Sequence, residues 1–367
     1  MRRAHETEEL ISAYPAALFK DLQLEEVLNK CVVDHGENLQ ILIDISEKTD
    51  GESLQGNTIH QLLWESLENP ALWKRDHVEV LVRRQINPQF QQLSKRPPDP
   101  PREDAQSSIN ILPVVARDTS QIESEYDDIC PTMTCTILSR IRKLLKNSGS
   151  LVNVNIKIVR PGALSALEQH FQKAEGIHGP GYIDIVHFDV HGGKKRGSTS
   201  KAGYLFFSSP DPDSNELIAE QASEVAHVLG KYGVSCAVLN ACESARANVG
   251  DDANVAMTFE KEGIQNVLAM SFKICSDSVE IFLGVFYRSL FTEGCTFSAA
   301  AEKARSDLCN NSKDMPGSAL SEICRTGLCQ FFTRLEQTLL SAVHRNVILP
   351  RRRRASWKMR QTSQRHS

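Results

Sequence analysis

The chain has 367 residues, enough for one large core or two ordinary ones, and its 41% hydrophobic, 24% charged and 6% aromatic content is that of a soluble globular protein. The net charge of −4 hides an asymmetry: Arg351, Arg352, Arg353, Arg354, Lys358, Arg360 and Arg365 stand among the last eighteen residues with no acid, so the rest of the chain is at −11. An acidic body argues against DNA or RNA as a partner, and the lack of any apolar run near eighteen residues argues against a membrane span.

The opening MRRAHETEEL is charged and leads into no apolar run, so it does not read as a secretory signal. The ten cysteines are therefore expected to be reduced thiols of a cytoplasmic protein. Neither Cys130 with Cys135 nor Cys324 with Cys329 comes with the second pair that a zinc site needs, so no metal or other cofactor is expected.

Residues 1–35 read as an N-terminal helical segment interrupted by Pro15. LQILIDISEK (39–48) has strand character, NTIHQLLWESLENPALW (57–73) has helical spacing through Ile59, Leu62, Leu63 and Leu67, and VEVLVRRQI (78–86) is a second strand. The proline-rich, charged stretch 94–107 is an exposed loop, because it lacks the apolar surface to order itself. From residue 109 strands and helices alternate. INILPVVAR, VNVNIKIVR (152–160), the runs ending at residues 193 and 244, YLFF (204–207) and NVLAMSFKI (266–274) read as strands. Helices are expected at 131–146, 162–174, 216–230, 253–261, 277–291 and 296–310. Such alternation implies an α/β fold of three layers, a mostly parallel central sheet with helices on both faces. Beyond it, 318–349 reads as a helical end with an amphipathic helix at 329–345, and 350–367 as a basic disordered tail.

Two strands end on reactive side chains. YIDIVHFDVHGG (182–193) ends at His191-Gly192 and VSCAVLNACES (234–244) at Ala241-Cys242. Ligands of open α/β sheets bind just past the carboxyl ends of the strands, and neighbouring strands lie about 4.8 Å apart, so the two ends can present an imidazole and a thiol on one rim. The other His-Gly pairs, at His35 and His178, precede strands and read as turns. His187 is mid-strand and reads as a buried, hydrogen-bonded residue, and Cys236 and Cys275 read as core. Cys242 precedes small and polar residues able to open a helix, whose positive end stabilises a thiolate. In that arrangement Cys242 attacks a carbonyl, His191 moves the proton, and the backbone N–H groups of Gly192 and Cys242 form the oxyanion hole, where one donor is typically worth roughly 3–4 kcal/mol of barrier.

A strand ending in His-Gly followed by a strand ending in Ala-Cys resembles the caspase-like cysteine peptidases, the group of caspases, legumains, gingipains and separases. The fuller resemblance is to the CHAT domain, through LLWESLENPALW (62–73), ILPVVAR (111–117), VRPG (159–162), VHFDVHG (186–192), VLNACESA (238–245), VLAMSF (267–272) and FYRSLFTEG (286–294), in family order. The resemblance implies a caspase-like domain over 36–317, with the histidine after the third core strand and the cysteine after the fourth. It implies a cysteine endopeptidase acting on protein or peptide substrates in regulated proteolysis or signalling, with regulatory partners such as tetratricopeptide or NTPase modules. The alternative is a catalytically silent CHAT module serving as an interaction platform.

Asp189 shares strand parity with His191 and is a candidate substrate-binding acid favouring a basic P1 residue; Asn240, the second candidate substrate contact, is an amide where legumain-like relatives carry an acid two residues before the cysteine, a departure that weakens basic specificity. GKKRGSTSKA (193–202) and the 94–107 loop are candidate cleavage segments as well as plain surface loops. The basic tail is a candidate nuclear address, and Arg353-Arg354-Ala355-Ser356 resembles a basophilic kinase site.

Overall fold

The structure, a computed structural model, describes residues 13–35, 39–46, 62, 64–68, 70–73, 78–85, 108–116, 133–147, 153–193, 202–211, 213–214, 216–241, 255–270, 276–311, 329–333 and 354–359. The helices α1 (13–21) and α2 (Leu24–His35) lead into β1 (Leu39–Ser46). A 3-10 helix at Trp64–Glu68 and the single-turn α3 (Pro70–Trp73) precede β2 (Val78–Gln85). There follow β3 (Ser108–Ala116), α4 (Met133–Asn147), β4 (Asn153–Ile156), α5 (Leu164–His178) and β5 (Ile185–Gly193). Next come β6 (Tyr204–Ser208), β7 (Leu217–Gln221), α6 (Ala222–Lys231), β8 (Cys236–Asn240), α7 (Val255–Lys261) and β9 (Asn266–Met270). The chain continues through α8 (Ser276–Phe291), α9 (Phe297–Asn311), β10 (Cys329–Thr333) and β11 (Arg354–Met359). None of these helices is long and apolar enough to cross a membrane, among the described residues.

The sheet runs β11-β1-β2-β10-β9-β8-β5-β3-β4, with β6 and β7 added as an antiparallel ribbon on the end of β5. Every neighbouring pair of the main order is parallel except β10 with β9. Two parallel blocks therefore run in opposite directions and meet at that one antiparallel pair. In the larger block the strands β3, β4, β5, β8 and β9 lie in the order second, first, third, fourth, fifth, the doubly wound order in which the crevice opens between the first and third strands.

Alternation along each strand assigns the two faces. Leu112, Val114, Val186, Phe188, Val190, Ala237, Leu239 and Val267 pack beneath α5, α6 and α7 through Leu167, Phe171, Val225, Leu229 and Phe259. Ile109, Ile111, Ile185, Cys236, Val238 and Leu268 face α4, α8 and α9 through Ile137, Leu138, Phe282, Phe286 and Phe297. Strands covered on both faces are apolar nearly throughout, which is why these segments read as continuous hydrophobic runs. A third cluster packs Leu24, Leu28, Trp64, Leu67 and Trp73 on Ile41, Ile43, Ile45, Val78, Val80 and Val82 of the smaller block.

Four expectations need correction. The helix expected over 57–73 is a 3-10 turn and a separate turn begun by Pro70, whose ring ends one helical run and starts the next; residues 57–61 lie outside the described set. The helix expected over 216–230 starts at Ala222, because Leu217–Gln221 pairs with Tyr204–Ser208 as a strand. Cys329–Thr333, expected within an amphipathic helix, is the strand antiparallel to β9. The tail expected to be disordered contributes Arg354–Met359 as the edge strand beside β1, with Ser356 opposite Leu42, so the kinase-like motif runs into a paired strand. The 94–107 loop and residues 194–201 lie outside the described residues.

The seam between the blocks is pinned by charge. Arg84 in β2, fully buried, donates through Nε and Nη2 to the two carboxylate oxygens of Glu65 (2.7 and 2.6 Å) and also to the Leu62 carbonyl (2.7 Å). Its backbone is the register partner of Phe332 in β10. Glu68, one turn on, accepts from Arg305 of α9 at 2.7 and 2.6 Å and from the Val82 N–H at 2.9 Å. Burial pushes the Glu68 carboxyl up, and Arg305 works against that push. Removing one partner of a buried pair strands the other charge. Arg84→Ala is expected to lose about 3–5 kcal/mol in urea unfolding, whereas Arg84→Met with Glu65→Leu loses far less. A loss below about 1 kcal/mol for the single variant would contradict this account of the seam.

Candidate functional site

The crevice side of the larger block is built where β3, β5 and β8 end. β5 lies between β3 and β8, with Ala116 opposite Val190 on one side and Asp189 opposite Asn240 on the other. Past those rungs β5 continues alone to His191, Gly192 and Gly193, and β6 pairs with them: Phe206, Leu205 and Tyr204 are the partners.

The ribbon takes the β3 side of β5. The Ser208 N–H donates to the Gly162 carbonyl at 3.0 Å, and Gly162 lies so tightly on the end of β3 that a Cβ there would fall 2.0 Å from the Val115 carbonyl oxygen. Only glycine fits that approach. It explains the final residue of the VRPG motif: the segment after β4 clamps the β3 end and the ribbon together.

His191 is half-buried at the carboxyl end of the third strand of the block, as expected from sequence. Gly192 is the next rung of the ribbon, opposite Leu205. Ala241, buried, is the last described residue after the fourth strand, and Cys242 lies outside the described residues.

Asp189 and Asn240 are directly opposed and almost wholly buried, at 0% and 3% exposure. The Asn240 side-chain amide donates to Asp189 Oδ1 at 3.1 Å, and the Thr134 hydroxyl donates to Asp189 Oδ2 at 3.3 Å. Thr134, in the first turn of α4, also meets His187 Nε2 at 3.2 Å, and the other ring nitrogen of His187 meets the Tyr287 hydroxyl of α8.

Proton counting orients the chain. Thr134 has one hydrogen and gives it to Asp189, so it accepts from His187 Nε2–H. Burial holds the Tyr287 phenol well above its ordinary range, so it keeps its proton, and its hydroxyl shares a hydrogen bond with His187 Nδ1. Tyr287, His187, Thr134, Asp189 and Asn240 thus form one buried line from α8 through α4 to the ends of β5 and β8. The mid-strand reading of His187 as buried and hydrogen-bonded holds, as does the core reading of Cys236, which is 0% exposed. His35 and His178 are the final residues of α2 and α5.

Thr134 and Tyr287 were not legible as site residues. Strand parity places His187, Asp189 and His191 on one face, but which helix covers that face is a tertiary fact. Cys275 lies outside the described residues. Among the described residues, no group of three or more His, Cys, Asp or Glu side chains is arranged to hold a metal ion. An open groove of about 530 Å³ between α4 and α8, lined by Ile137, Ile141, Leu144, Ile281 and Val285 with Arg140, Glu280 and Arg288, lies along the helices and includes none of the strand-end residues.

No curated protein matches the chain. A solved structure described as "Structure of Protease" superposes with a TM-score of 0.44 at 10% identity, covering 83% of this chain and 80% of that one. A crystal structure of a Geobacter sulfurreducens protein gives a TM-score of 0.31 at 13% identity, covering 62% of this chain and 93% of that one. The CHAT domain family model matches residues 54–360, which takes in the 3-10 turn that carries Glu65 and Glu68, the His-Gly and Ala-Cys strand ends, and both late strands. With most of its length inside that match, the chain belongs to the CHAT domain family, the caspase-like group to which its two strand ends pointed.

Proposed function

We propose that this chain is a CHAT-type cysteine endopeptidase in which Cys242 is the nucleophile and His191 the proton carrier. The observation that carries the reading is the parallel β5–β8 register. Asp189 stands opposite Asn240, His191 follows Asp189 by two residues, and Cys242 follows Asn240 by two. Equal offsets from opposed residues on parallel strands favour one rim and one face for imidazole and thiol. The position of His191 at the carboxyl end of the third strand of a doubly wound block, next to its crevice, supports the same reading.

The chemistry follows from those two groups. The Cys242 thiolate attacks the scissile carbonyl carbon, a C–S bond forms, and the carbonyl π pair moves onto oxygen. The N–H groups of Gly192 and Cys242 are assigned to that oxygen. As the tetrahedral species collapses the C–N bond breaks, and the His191 imidazolium gives its proton to the departing amine. Water then loses a proton to His191 and adds to the thioester, and the C–S bond breaks to release the acid and restore the thiolate. Regulated proteolysis or signalling is the setting this activity fits.

Two partly accessible thiols among the described residues provide an internal contrast. Burial pushes the Cys135 thiol up, the Asp189 charge adds to that and Arg160 opposes it. Burial likewise raises Cys295, against the pull of Lys303. A free cysteine, with a pKa near 8.5, is about 3% thiolate at pH 7. In site-resolved iodoacetamide labelling at that pH, Cys135 and Cys295 are expected to react more slowly than free cysteine and Cys242 faster. Equal rates at all three cysteines would remove the case for an activated nucleophile.

Cleavage itself is read by incubating the full chain with a proteome-derived peptide library and sequencing the new amino termini. Wild type is expected to generate a consistent set of cuts, and Cys242→Ala and His191→Ala to lose at least about 1,000-fold in rate. Cuts that persist in Cys242→Ala would overturn the assignment. A folded wild type that makes no cuts and still captures partners would favour the silent interaction module.

A further inference from the structure

We propose that Asp189 and Asn240 are positioning residues: a buried cross-strand strut that fixes the ends of β5 and β8 so that His191 and Cys242 can form an ion pair. The proposal rests on the peptidase reading above and assigns this pair a different task from substrate contact.

The first argument is place. Asp189 and Asn240 form the last rung of the β5–β8 ladder among the described residues, two positions in sequence before His191 and Cys242. A side-chain hydrogen bond there ties the two strands directly below those ends.

The second is chemistry. Phe188 and Val190 beside Asp189, and Leu239 and Ala241 beside Asn240, are buried on the other face of the sheet, so the polar pair stands in strands that are otherwise apolar here. At 0% and 3% exposure, the Asp189 carboxylate and the Asn240 amide carry a desolvation penalty that two valines would avoid. Apolar contact is non-directional and leaves the strand ends free to shear, whereas the Asn240-to-Asp189 bond holds at one distance and angle. Fully satisfied buried polar networks fix a unique arrangement in this way.

The third argument is anchorage. Thr134 ties Asp189 to the first turn of α4, and His187 and Tyr287 extend the tie to α8. The strut is therefore held against the helical layer as well as between strands. Both Asp189 oxygens accept bonds from within the protein, and both residues are almost wholly buried.

The hydrogen-bond pattern supplies its own test. Asp189→Asn alone leaves an amide that satisfies only one of its two neighbours, since keeping its oxygen toward Asn240 turns its NH2 against the donating Thr134 hydroxyl, and Asn240→Asp alone sets a carboxylate against a carboxylate. The double exchange, Asp189→Asn with Asn240→Asp, restores both bonds: the new amide at 189 donates across to the new carboxylate and still accepts from Thr134. The readout is the pH profile of Cys242 alkylation by iodoacetamide, resolved by peptide mass spectrometry, well below each variant's Tm. Circular dichroism establishes that each variant is folded.

Wild type should remain reactive on the acid side, and His191→Ala should show an ordinary thiol profile. Each single exchange should move the profile toward that of His191→Ala, with a loss of about tenfold on the acid limb for each unit rise in thiol pKa. The double exchange should return to within about twofold of wild type. If a single exchange does not fold, Thr134→Val, which removes one donor to Asp189, takes its place. Folded single variants with the wild-type profile, or a double exchange no better than the worse single, would overturn the strut. A wild-type profile identical to that of His191→Ala would instead overturn the dyad reading, and the strut with it.

Discussion

The register between β5 and β8 is the constraint from which the candidate site follows. Because side chains alternate with period two, a slip of one residue would send Asp189 and His191 to the opposite face of the sheet and set Val190 where a polar pair now stands. The chain resists such a slip on both sides. Phe188 and Val190 need the layer of α5, α6 and α7, while Ile185 and Val238 need that of α4, α8 and α9. The buried Asp189–Asn240 bond adds a polar penalty to any other alignment. Packing on two faces and one hydrogen bond between them thus select where the strand ends lie.

A second constraint holds the larger assembly together. The two parallel blocks meet through β10, antiparallel to β9 and parallel to β2, and parallel β2–β10 pairing is recorded at one rung. Glu65 and Glu68, on a single 3-10 turn, reach Arg84 in one block and Arg305 on a helix of the other. Two bidentate pairs from one turn act as a bracket across the join. The WESLE segment lies inside the family match, far from the strand ends in sequence. Charge placed in a core in this way specifies a geometry more than it adds stability.

Much of this was legible in the chain itself. The strands β3, β5, β8 and β9 are apolar on both faces, so period-two alternation is nearly absent and the runs stand out by length and composition. His191 at the end of the third strand followed from counting strands after residue 109. What escaped was structure made by distant partners. Leu217–Gln221 has a helical look beside Ala222 and becomes a strand only because Tyr204–Ser208 offers it an edge. Cys329–Thr333 and Arg354–Met359 lie in segments of weak local pattern and are ordered by sheet edges more than two hundred residues away in one case. Thr134 and Tyr287 carry no local mark at all, since their roles exist only once α4 and α8 cover the β5 face.

The central claim is that one thiol among ten is activated by one imidazole. Its most direct test is covalent: the full chain is treated with a peptidyl acyloxymethyl ketone, which alkylates an activated thiolate, and the adduct is located by peptide mass spectrometry. The account predicts a single thioether at Cys242 in wild type, formed at a rate that falls at least about 100-fold in His191→Ala. An adduct at another cysteine, or labelling of Cys242 indifferent to the loss of His191, would contradict it.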